Sequence, residues 1–265
     1  MKKVLAGLAV VTCLALAAGP AMADEWDIQT DNDNTSGTDN ELIPGTTQHH
    51  DLGALPGPTA DEDWFRIGQK PASSYEVVMD GTSGDIGFGA NLDLVDGAGT
   101  VLVGSQSVTP GLDYSRTLRF ANTTTAPIND QLVRARASSA CTTCGPEDGY
   151  TIRMHETTVR LARFNNSGTQ LTVLITQNVT DGPINATFFY WDAAGNLLTT
   201  GTLAPLAAHA TNVFNTTTFP ALIGQSGSIT VAHDGPYGSL NIKSVALEPA
   251  TGFSFDTPGT YVPQP

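Results

Sequence analysis

The sequence predicts an all-β protein made of two antiparallel sandwiches. Three observations carry that prediction. Short runs rich in β-branched and aromatic residues recur from Trp64 onward, each bounded by Gly, Pro, Asn or Asp. Several of these runs alternate between apolar and polar residues, the period of a strand with one face in a core. No stretch beyond residue 23 carries the apolar period of an amphipathic helix of ordinary length.

Residues 1–23 read as a leader. Lys2 and Lys3 start it, Val4 to Ala18 is apolar, and Ala21-Met22-Ala23 fits a small-x-small cleavage rule before Asp24. The apolar run is shorter than the roughly 20 residues a membrane-spanning helix needs. Thr12 before Cys13 is a poor context for lipid attachment. No later stretch is long and apolar enough to cross a bilayer, so no transmembrane segment is expected after cleavage. The expected address is secreted, periplasmic or cell-surface.

Without the leader the chain keeps 26 acids against 10 bases, a formal charge of −16. Eleven of those acids lie between Asp24 and Asp63, a segment with no Lys or Arg. Phosphate repels such a surface, which excludes nucleic acid as a partner. Divalent cations are attracted to it; a solvated acidic lead-in explains the same charge. Residues 24–45 contain Asp31-Asn32-Asp33-Asn34 and no apolar period, and are expected to form a flexible arm. The spacing from Asp31 is not that of an EF-hand loop.

The first sandwich is expected over residues 46–157. Its strands are read at Trp64 to Ile67, Tyr75 to Met79, Leu92 to Val95, Val101 to Gly104, Ser115 to Phe120, Gln131 to Ala137 and Tyr150 to His155. In the last of these Tyr150, Ile152 and Met154 share a face; in Val133 to Ala137 the two arginines share the other. Asp96 and Gly99 mark a hairpin tip: the Asp side chain accepts from the turn, and Gly takes the left-handed position. The same device recurs at Asp192 and Gly195. The boundary falls at Thr157-Thr158-Val159, where charge thins: residues 159–265 hold five acids and three bases. Seven strands over residues 158–256 match an immunoglobulin-like sandwich without its Cys…Trp…Cys pattern. Residues 257–265 read as a Pro-rich tail.

Cys141-Thr142-Thr143-Cys144 is the Cys-x-x-Cys pair of an exported chain. A small loop disulfide is the expected state. A redox centre would need a helix N-terminus beside a βαβ unit, and a zinc site two further ligands, and neither is visible. The five histidines are scattered, and there is no H-E-x-x-H or G-x-S-x-G, so no enzyme is expected and no catalytic residue is assigned. A pair of carboxyls at glycosidase spacing is not visible to sequence and stays open. In Ile184 to Trp191, Phe189 and Trp191 alternate away from Phe188 and Tyr190. They form either a stacking patch for sugar or a partner protein, or the second face of a covered central strand.

Asp61-Glu62-Asp63 running into Trp64-Phe65, the Leu92 to Leu102 hairpin and Asp148-Gly149-Tyr150-Thr151-Ile152 together resemble the bacterial pre-peptidase C-terminal domain, over roughly residues 28–157. The resemblance implies a compact, non-catalytic β-sandwich of secreted proteins. Related collagen-binding domains hold calcium with acids of an N-terminal linker and of the first strand. Carried over by position, Asp31 and Asp33 would be linker ligands, and Asp61 and Asp63 strand-side ligands. The alternative is that Asp61 and Asp63 cap a turn and pair with Arg66 or another arginine. The Cys141–Cys144 segment is foreign to the family pattern, and the leader runs almost directly into the module, so no linked peptidase is expected. The expectation is an exported, non-catalytic binding or structural protein, calcium-stabilised, facing an extracellular protein or polysaccharide. Two alternatives are a carbohydrate-binding module using Phe189 and Trp191, and an accessory or folding module for a separately encoded hydrolase.

Overall fold

The computed structural model describes Trp26 and residues 33–52, 62–83, 90–109, 112–137 and 148–264. The leader, Asp31, Asp61, Cys141 and Cys144 lie outside these residues. The fold is an all-β sandwich architecture of antiparallel sheets. The helical elements among the described residues are two short 3-10 turns, Thr216–Thr218 and Pro220–Leu222.

Among the described residues, nine strands build the first sandwich: β1 (Thr47–Asp51), β2 (Glu62–Arg66), β3 (Ser73–Gly81), β4 (Ala90–Asp96), β5 (Val101–Gly104), β6 (Gln106–Thr109), β7 (Leu112–Asn122), β8 (Gln131–Ala137) and β9 (Gly149–Glu156). They form a five-stranded sheet in the order β1-β9-β3-β7-β6 and a four-stranded sheet in the order β2-β8-β4-β5. Alternation decides the facing sides. Tyr150, Ile152 and Met154 of β9 and Tyr75, Val77 and Met79 of β3 meet Phe65, Leu92, Leu94 and Val133 of the opposite sheet in one core. Each such buried side chain stabilises by about 1.5–3 kcal/mol. On the outer face of β8, Arg134 lies 5.0 Å from the Trp64 ring centroid, and Arg136 Nε donates to Asp93 Oδ2 at 3.0 Å.

The second sandwich has nine more: β10 (Val159–Asn165), β11 (Leu171–Asn178), β12 (Ile184–Asp192), β13 (Leu197–Leu206), β14 (Thr211–Asn215), β15 (Ser226–His233), β16 (Leu240–Glu248), β17 (Phe253–Pro258) and β18 (Thr260–Tyr261). Its sheets run β13-β12-β15-β10-β18 and β14-β11-β16-β17. Phe164, Leu174, Phe188, Tyr190, Ile229 and Val231 fill a core separate from the first.

Both hairpin tips form alike. Asp96 Oδ1 accepts from the N–H groups of Ala98 and Thr100, and Asp192 Oδ1 from those of Ala194 and Asn196. Gly99 and Gly195 take φ values of 82° and 85°, which a side chain rarely tolerates. The Thr100 N–H holds the Asp96 carboxyl below its ordinary range, and the Asn196 amide does the same for Asp192.

One expectation, the flexible arm, is corrected. The described part of the arm is not free. Leu42 is buried in the first core, and the N–H groups of Trp64, Arg66 and Leu42 join residues 33–42 to β2 through Asp33 O, Asn40 O and Arg66 O. An edge strand offers unpaired backbone groups, and this polar segment covers them. The Pro-rich tail is likewise docked. β17 extends to Pro258 and β18 pairs with β10. Tyr261 Oη accepts from Leu240 N–H at 2.8 Å and lies 3.1 Å from Leu240 O.

The two sandwiches touch through outward faces. Phe189 of β12 and Ala232 of β15 pack on Ala72 and Ala121 of the first sandwich, with Trp191 at the margin. Phe189 is 1% exposed. The proposed stacking patch is therefore not a surface patch at Phe189: the neighbouring sandwich covers that ring. Trp191 is half-buried and its indole N–H donates to Thr230 Oγ1 at 3.1 Å. Around this apolar contact, Thr157 N–H donates to Ser74 O, Ser74 N–H to Thr158 Oγ1, and Tyr237 N–H to Glu76 Oε2.

Candidate metal centre

Asp33, His50 and Asp63 converge at the open side of the first sandwich, where its two edge strands β1 and β2 approach each other. Alternation along β2 puts Asp63 on the same side as Phe65, the core side, while Trp64 faces away. His50 of β1 lies opposite Tyr150 of β9 in the sheet register, so both rings point the same way. They stack at 5.6 Å, and the Phe65 ring meets His50 edge-on at 4.9 Å. Asp33 comes from the covering segment, whose backbone carbonyl accepts from Trp64 N–H at 2.7 Å.

The three residues are 1%, 4% and 0% exposed, and one ligand atom from each lies within 4.8 Å of the others. His50 Nδ1 is 3.4 Å from Asp33 Oδ2. Each has an orienting neighbour. Asn40 Nδ2 donates to Asp33 Oδ2 at 3.3 Å. Gln48 Oε1 is 3.0 Å from His50 Nε2, while the Gln48 amide nitrogen donates to Glu41 O at 2.8 Å. The Tyr150 hydroxyl donates to Asp63 Oδ2. Asp33 Oδ1 and Asn40 Oδ1 are buried without a hydrogen-bond partner. Taking two carboxylates out of water costs several kcal/mol each unless a cation accompanies them.

Of the four acids assigned by position, the structure brings Asp33 and Asp63 together; Asp31 and Asp61 lie outside the described residues. A calcium shell takes six to eight oxygens. Here a buried imidazole nitrogen occupies one position of the set, which departs from that chemistry. Arg66 does not pair with Asp63; its guanidinium reaches Asp39 at 3.5 Å on the surface. Sequence reasoning missed His50. Thr47-Gln48-His49-His50-Asp51 has no apolar period, so nothing marked it as a strand. The available signal was Asp63, an acid in register with Phe65 and Ile67 on an apolar face.

A separate cavity of about 530 Å³ opens on the first sandwich, lined by Gln69, Leu94, Arg119, Phe120 and Gln131 among others, with Asp234 of the second sandwich at its rim.

No protein-family model and no curated protein matches the chain. Among solved structures, the chain overlaps the adhesin domain of Epf from Streptococcus pyogenes at 9% identity, covering 82% of this chain and 75% of that one with a TM-score of 0.25. It also overlaps a beta-glucuronidase from glycoside hydrolase family 2 at 10% identity, covering 86% of this chain and 26% of that one with a TM-score of 0.18. Overlaps this loose carry no functional argument.

Proposed function

We propose that the protein acts outside the cytoplasm as a non-catalytic binding module, and that the free edge of β17 receives an extended segment of a partner protein. The observation that carries this reading is the placement of Phe253 and Phe255. They alternate along β17, the outermost strand of its sheet, and are 64% and 51% exposed. Among the described residues no strand pairs with the outer side of β17, so its row of backbone donors and acceptors is open. An added strand would satisfy that row while the two rings supply apolar contact. The leader-like residues 1–23 support the address. Among the described residues no helix is long and apolar enough to cross a membrane.

The test is an array of extracellular-matrix proteins and glycans probed with the wild type and with Phe253→Ser/Phe255→Ser. A protein ligand bound at least about tenfold more weakly by the double variant, at unchanged melting midpoint, supports the reading. Equal binding by both proteins, or recognition of glycans only, overturns it.

A further inference from the structure

We propose that Asp33, His50 and Asp63 form a binding site for a divalent transition metal of the zinc class. This site lies in the first sandwich, apart from β17 of the second.

The tautomer of His50 is the first step. The Gln48 amide nitrogen is committed to Glu41 O, which leaves its Oε1 facing His50 Nε2 at 3.0 Å. An acceptor there requires the proton on Nε2. In the neutral ring Nδ1 then carries a lone pair, and that lone pair stands 3.4 Å from Asp33 Oδ2. Two electron-rich atoms at that distance repel unless a cation sits between them. A metal ion does this without a proton. Two ligands each about 2.0 Å from a tetrahedral ion are separated by roughly 3.3 Å, close to the observed spacing.

The surrounding shell is that of a ligand set. Histidines that bind metals commonly give their other ring N–H to a fixed acceptor, and ligating carboxylates are themselves hydrogen-bonded. Gln48 serves His50, Asn40 serves Asp33 and the Tyr150 hydroxyl serves Asp63. Asp33 Oδ1 and Asn40 Oδ1 are further buried oxygens without partners, on residues 1% and 3% exposed. A mixed nitrogen and oxygen set suits zinc and its neighbours, whereas calcium and magnesium prefer oxygen throughout. Trp26 stacks on His50 at 5.8 Å and Phe65 meets it edge-on, so the ring lies between apolar neighbours.

The competing account is a metal-free ion pair in which His50 is doubly protonated between the two carboxylates. Calorimetric titration of chelator-stripped protein separates the two. The expected result is uptake of one Zn²⁺ per chain, unaffected by millimolar Ca²⁺, with visible ligand-field bands when Co²⁺ replaces Zn²⁺. His50→Gln and Asp33→Asn are expected to weaken binding by more than about a hundredfold, and Gln48→Met by about 10- to 100-fold. Cys141→Ser/Cys144→Ser retains wild-type binding, which excludes the thiols as the site. Gln48 is half-buried, so its variant keeps the test valid if His50→Gln does not fold. Absence of Zn²⁺ uptake, displacement of Zn²⁺ by Ca²⁺, or wild-type affinity in a folded Gln48→Met or His50→Gln protein overturns the proposal.

Discussion

His233 Nε2 lies 2.8 Å from the carbonyl oxygen of Thr157, the residue at which one sandwich gives way to the other. The N–H of Gly235 donates to the opposite ring nitrogen at 3.2 Å. Nδ1 therefore accepts and Nε2 donates, so the ring is neutral and in one tautomer. Burial pushes its pKa down to about 4, against the opposing pull of the Thr157 carbonyl and the nearby Asp234 and Glu76 carboxylates.

This ring makes stability depend on pH in a defined direction. Above the unfolded value of about 6.5 neither state protonates, and the native state is unaffected. As pH falls from there towards 4, the unfolded chain gains a proton that the folded ring refuses, so stability is lost. The full loss is on the order of 3 kcal/mol. Thermal melting of the wild type and of His233→Gln across this window checks it. The variant, whose amide can still donate to Thr157, is expected to show a shallower decline. Parallel declines in the two proteins would remove His233 as the cause.

Phe189 joins two sandwiches, so its truncation acts on both. Phe189→Ala is expected to lose about 3 kcal/mol, because it empties a fully buried site between backbones that cannot collapse freely. Trp191→Ala, at the half-buried margin, is expected to lose less. Chemical denaturation followed by tryptophan-independent circular dichroism measures both. An undiminished midpoint for Phe189→Ala would mean that the contact between the sandwiches contributes nothing.

Gly227 has no room for a side chain. A Cβ there would lie 1.8 Å from the Trp191 carbonyl oxygen, an atom of the paired backbone that cannot step aside. Gly227 faces Asp192 in the register of β12 and β15, beside the hairpin tip. Gly227→Ala is expected to destabilise by about 2 kcal/mol or more through this overpacking. Gly224→Ala is the control. It has a positive φ of 74° but nothing within 4 Å, so backbone strain alone applies, at about 1 kcal/mol. A Gly227→Ala protein as stable as Gly224→Ala would sink the argument.

Most strands were legible because the signal is local. Tyr150, Ile152 and Met154 alternate with polar residues, and that alone puts them on one side of β9. The Asp96 and Asp192 turns were legible for a similar reason: the acceptor and the glycine sit within four residues of each other. β1 was not, because its burial rests on one histidine that pairs with Tyr150 a hundred residues later.

Sequence by itself determined most of the strands, the Asp96 and Asp192 reversals and the inward side of strands such as β9, since those follow from side-chain period and turn chemistry. Only the tertiary structure decided that the acidic arm covers β2, that Phe189 is sealed beneath the first sandwich, and that Asp33 and Asp63 meet at His50. Each of those outcomes depends on packing between segments far apart in the chain, and no local pattern encodes how two distant edges meet.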